Sequence, residues 1–163
     1  MTHPLTRTAT RRHLIIAILT SALLLLAIAQ APAASAGDAY ARRLLRIVNA
    51  TRANHDIRPL QMERSLNAPS RRHTNQMIDA NRLYDPPNLQ RLLADYQWDD
   101  LGADVVGCGN TLNELHRILM TEDFHRTILL HPQLRRVGIG VVVARQRNRC
   151  GRGSFWATEI FYG

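Results

Sequence analysis

Apolar positions recur along this chain with two periods, one near 3.6 and one of 2, and the switches between them outline its elements. Tyr40, Leu44, Leu45 and Val48 fall at helical spacing with Arg42, Arg43 and Arg46 elsewhere on the wheel, which predicts an amphipathic helix ending near Asn54. Pro59 pushes its predecessor out of the α region, so Ile57 to Leu60 reads as an extended link. A second helix lies within Glu63 to Asn81, with Leu66, Ser70, His73, Thr74 and Met77 in register; Pro69 suits only a first turn, which puts the start near Asn67. Asp85-Pro86-Pro87 then breaks the chain, and Leu89 to Asp95 reads as a short helix with Leu89, Leu92 and Leu93 inward.

Leu101 to Cys108 is a short apolar strand. Thr111-x-x-Glu114 is a capping box that opens a helix whose stripe is Leu112, Leu115, Ile118 and Leu119. The stretch from Leu119 to Ala144 joins a polar helix start to a core strand. Thr121 and Asp123 are N-cap types, His125 and Arg126 fall in the first turn, Ile128 and Leu129 share a face, and His131-Pro132 stops the run. Val137, Ile139, Val141 and Val143 then share one strand face, while Gly138 and Gly140 leave the other bare enough for a passing helix. Arg145 to Gly153 reads as a hairpin connection into Ser154 to Tyr162, where Phe155, Ala157, Glu159 and Phe161 face one way and Trp156, Thr158, Ile160 and Tyr162 the other. Helices packed on such a sheet describe an α+β or three-layer arrangement.

The first residues change the compartment. Arg7, Arg11 and Arg12 precede the apolar run Leu14 to Ala29, and Ala34-Ser35-Ala36 supplies a small-x-small cleavage site, so residues 1–36 read as an export signal and 37–163 as one mature domain. Arg11-Arg12 resembles a twin-arginine signal, whereas the strongly apolar run favours the general export route. Signal removal leaves no membrane span and lowers the net charge of +8 by three arginines. The remaining positive charge suits anionic wall polymers or lipid head groups. No nucleic-acid motif accompanies it, so nucleic acid is not expected as a partner. Cys108 and Cys150 are the only cysteines and lack metal or CxxC spacing. In an exported chain they are expected to pair; the alternative is two separate buried thiols.

Five strings, in order, resemble the signatures of bacterial domains in the CAP superfamily (cysteine-rich secretory, antigen 5 and pathogenesis-related proteins), also called the SCP domain. Asn49-Ala50-Thr51-Arg52 with Ile57-Arg58-Pro59-Leu60 is similar to its N-x-x-R and G-L-x-P-L opening, and His73-Thr74 with Met77 to H-S-x-x-M. Phe124 to Leu129 resembles G-H-R-x-N-I-L, Arg136 to Val141 resembles x-x-G-V-G, and Trp156 to Gly163 resembles W-V-T-Q-x-F-G. The resemblance implies a three-layer α-β-α sandwich with a central antiparallel sheet, in a secreted, extracellular or envelope protein. It also implies a cleft in which two His and two acids hold a divalent metal, usually zinc.

The implied ligand set carries over only in part. His125 matches the second His and Glu122 stands at an acid position, but Leu83-Tyr84-Asp85 replaces F-S-H and Gly102-Ala103-Asp104 replaces G-E-N. Asp85 and Ala103 thus occupy the two lost positions. Asp85, Glu122 and His125, with Asp104 a fourth if it faces the cleft, leave room for a weakly held divalent ion; no cofactor is required. The plainer reading makes Glu122 and His125 a hydrogen-bonded pair at a helix start. His73 and His116 read as surface or satisfied core histidines, and His55 and His131 as cations at helix ends. No Ser or free Cys stands in a nucleophile motif, which leans against an enzyme. The expectation is a monomeric, non-catalytic domain that binds a lipid, a cell-wall polymer or a protein; the rival is a secreted hydrolase acting on wall or peptide substrates.

Overall fold

The computed structural model describes residues 36–98 and 101–163, so the export signal read at residues 1–36 lies outside the described residues except for Ala36. The elements are α1 (Ala36–Ala53), β1 (Gln61–Met62), α2 (Arg64–Asp79), α3 (Leu89–Leu93), β2 (Gly102–Gly109), α4 (Leu112–Thr121), α5 (Asp123–Leu129), β3 (Arg136–Ala144) and β4 (Ser154–Tyr162). The strands form one sheet in the order β1-β3-β4-β2. β3, β4 and β2 pair antiparallel along their whole lengths. The sheet is not wholly antiparallel, however: β1 runs parallel to β3 through two register pairs, Gln61 with Arg136 and Met62 with Val137.

The period of two on β4 sets the layers. Ala157 and Phe161 share a core with Ala41, Leu44 and Val48 of α1, Leu115 and Leu119 of α4 and Leu129 of α5. On the opposite face Trp156 packs with Met77 of α2, and Ile160 and Tyr162 with Leu66 of α2 and Leu93 of α3. Helices therefore cover both faces, giving an α-β-α sandwich.

The bare glycines of β3 are where α2 lies closest. A Cβ at Gly138 would overlap Leu66, and one at Gly140 would overlap the backbone of Ser70 and Arg71. That proximity lets α2 side chains bond the strand directly: Asn67 Oδ1 accepts from Ile139 N at 2.8 Å, and Thr74 Oγ1 lies 3.0 Å from Gly140 O and 2.9 Å from Thr158 Oγ1.

Three local expectations need correction. α2 starts at Arg64, not near Asn67, because Glu63 accepts from Ser65 N as the N-cap; Pro69 thus sits in the second turn. The N-cap of α5 is Glu122, and Thr121 Oγ1 instead donates back to Ile118 O at 2.6 Å. The Thr111 cap is present, with Oγ1 accepting from Glu114 N at 3.1 Å, but Glu114 reaches one residue further back, to Asn110 N at 3.0 Å.

Candidate functional site

β2 is an edge strand, and a cleft of about 600 Å³ opens along it. Its walls come from both layers. The segment Leu83 to Asp85, which follows α2, forms one side, and Ile118, Glu122 and His125 of the α4–α5 corner form the other. Cys108 and Cys150 are joined in a disulfide that lines the same cleft, with Cα atoms 6.1 Å apart. The link therefore ties the edge strand β2 to the β3–β4 loop.

Side-chain contacts fix parts of both walls. His73 is buried on α2 with Nε2 2.8 Å from Tyr84 O, and its ring meets that of Tyr84 edge-on, so this motif histidine fixes the backbone beside Asp85. His125 Nδ1 lies 2.8 Å from Glu122 Oε2, close in distance but not aligned as a directed hydrogen bond. Arg126 reaches Asp123 at 2.6 Å and so ties down the same helix start. Phe124, next to His125, is 71% exposed and is the one exposed large hydrophobic among the described residues.

Asp85, Glu122 and His125 share this cleft, whereas Ala103 packs against the α1–α4 core. Asp104 lies on the β2 face opposite Ala103, the face of Val106 and Cys108, but is not one of the residues that line the cleft. Burial, with the charge of Asp85 adding to it, raises its carboxyl to about 7, and one of its oxygens has no hydrogen-bond partner among the described residues. The chemistry of the donor set does not fit a zinc ion held by two imidazoles and two carboxylates. One imidazole remains, and among the described residues no three His, Cys, Asp or Glu side chains converge so as to hold an ion.

The opening signature has a different role. Asn49 exchanges two hydrogen bonds with Leu60, to its O at 3.0 Å and from its N at 2.8 Å. Arg52 is fully buried and donates to Arg58 O, Leu129 O, His131 O and Leu134 O at 2.8–3.2 Å, clamping the α5–β3 connection. Burial, then Arg58, lowers its pKa. Thr51 Oγ1 meets buried His116 Nε2 at 2.7 Å and joins α1 to α4; burial also lowers the pKa of His116.

Glu159 is a residue whose importance sequence reasoning missed. It is fully buried, neither of its oxygens has a hydrogen-bond partner among the described residues, Val105 and Ile139 flank it across the ladder, and burial raises its carboxyl to about 8. The signal was available, since an acid stood on the Ala157–Phe161 face of a strand that helices cover on both sides.

Three layers around a sheet that ends in a β3–β4 hairpin, with a cleft at the free β2 edge holding one histidine among acids, define a domain of the SCP class. The model of the CAP family, the cysteine-rich secretory protein family, matches residues 45–161, and the chain belongs to that family. It is 25% identical over 137 residues to the uncharacterized protein YkwD of Bacillus subtilis, covering 80% of this chain and 50% of that protein. Among solved structures, a cysteine-rich secretory protein of Staphylococcus aureus superposes with a TM-score of 0.59 at 20% identity, covering 80% of this chain and 40% of that one. An outer surface protein of Borrelia burgdorferi gives 0.58 at 12% identity, covering 75% and 92%. These likenesses fix the fold.

Proposed function

We propose that this chain is an exported, non-catalytic binding protein that takes a lipid, a cell-wall polymer or a protein segment in the β2-edge cleft. The observation that carries the reading is the mixed character of the cleft. Leu83, Val106, Ile118 and the disulfide give it apolar walls, while Asp85, Glu122 and His125 supply a few polar groups, as ligand sites commonly do. Work outside the cytoplasm is supported by the disulfide and by likeness to proteins described as secretory or outer-surface. Among the described residues no helix is long and apolar enough to cross a membrane.

The metal tetrad is part of the same reading. With one imidazole, the cleft holds at most a weakly bound divalent ion, and ligand recognition rests on shape and hydrogen bonds. A hydrolase of wall or peptide substrates is the rival, supported by the carboxylates that line the cleft. Incubation of the protein with a lipid panel and with purified wall polymer separates them. Retained lipid or polymer, lost in an Ile118→Arg variant that fills the cleft, is the expected result; turnover of wall or peptide substrate contradicts the proposal.

A further inference from the structure

The opposite edge of the sheet is incomplete. β1 covers β3 only at Arg136 and Val137. There the carbonyl of Val137 accepts from Glu63 N at 2.8 Å. Odd-numbered residues of β3 therefore turn their N–H and C=O away from β4, since both groups of a strand residue point the same way. Asn67 takes the next outward N–H, that of Ile139. Val141 and Val143 follow in the same phase, and no described strand lies beside them.

Two hollows of about 550 and 560 Å³ flank this bare edge and share Asn75, Val142, Val143 and Arg145. One reaches α1 at Tyr40 and α2 at Arg71, so the groove runs between the two helix layers. Arg71 of α2, which lines the first hollow, bonds Asp38 of α1 at 3.3 Å and so joins the two helix layers beside it. The second hollow carries the exposed Arg145 and Arg147 against one exposed acid, Asp79.

We propose that this groove binds a short extended peptide with acidic side chains, which adds to β3 as a further strand. Backbone bonds to Val141 and Val143 supply affinity. Arg145 and Arg147 select acidic residues at the end of the groove that they line. This site is separate from the β2-edge cleft, at the far side of the sheet.

The test uses acetylated, Thr- and Val-rich hexapeptides carrying either two Glu or two Lys, read by amide chemical shifts and by fluorescence anisotropy. The Glu peptides are expected to shift the Val141 and Val143 amides and to bind at least about tenfold more tightly than the Lys peptides. Val143→Pro removes an N–H that does not serve the β3–β4 ladder, so it is expected to abolish binding while the fold is retained. Arg145→Glu with Arg147→Glu is a second variant, expected to reverse the charge preference. Absence of binding, binding unchanged in both variants, shifts confined to the Asp85–His125 cleft, or an edge-to-edge dimer of this chain in place of peptide capture would overturn the proposal.

Discussion

Arg52 and Glu159 are fully buried ionisable side chains, and they illustrate two outcomes of the same desolvation. Arg52 keeps its place because four carbonyls receive its fork. Arg52→Ala is expected to cost about 3 kcal/mol or more, by leaving those acceptors unmade, and Arg52→Lys to recover little of it because an ammonium cannot reproduce the fork. Chemical denaturation of both variants checks this; a wild-type midpoint for Arg52→Lys would contradict it. Glu159 has no hydrogen-bond partner among the described residues, so its proton is held. Its folded pKa of about 8 lies above the ordinary value of 4.5, so the folded state binds the proton more tightly. Its contribution is complete below pH 4.5 and is lost as pH rises to about 8. Asp104 acts in the same direction but only up to about 7, which leaves Glu159 dominant between pH 7 and 8. Stability is expected to fall there by up to roughly 1.4 kcal/mol per pH unit, and Glu159→Gln to remove that slope. A slope unchanged in the variant would show that the carboxyl is not the titrating group.

At the scale of elements, the α2–β3 contact depends on absent side chains. Gly140→Ala places a methyl group against the backbone of Ser70 and Arg71, which has no flexible end to yield. Overpacking of that kind is expected to cost about 3 kcal/mol, the upper end of the usual range. Leu119→Ala and Val141→Ala, both buried, are expected to cost about 2–4 kcal/mol, and Arg147→Ala in the exposed loop to stay within about ±0.5 kcal/mol. Urea melts of the four variants decide it, and equal losses at all sites would mean that the core lies elsewhere. Much of this was legible, because alternation along β4 assigns its faces and the paired glycines of β3 announce a close helix. The start of α2 was not: the proline rule favoured the first turn, and the Glu63 cap with its packing on the strand prevailed over it. Nor was β1, whose two residues carry no period.

For the whole molecule, the family strings proved to be chiefly structural. Asn49, Arg52, His73 and the β3 glycines staple loops and layers, which is why they identify a fold without identifying a ligand. The cleft itself was legible in part. Asp85, Glu122 and His125 line one cleft, though Asp85 is far from the other two in sequence, because the α4–α5 corner and the segment after α2 both border the β2 edge. The interaction of Asp104 with Asp85 arises from tertiary placement alone, which no local pattern encodes. Isothermal titration of the protein with zinc near neutral pH distinguishes the proposed cleft, which binds without a zinc centre, from a working metal site. Weak or absent heat, unaffected by His125→Ala, is the expected result; a tight isotherm that disappears in His125→Ala would contradict the account and favour the hydrolase.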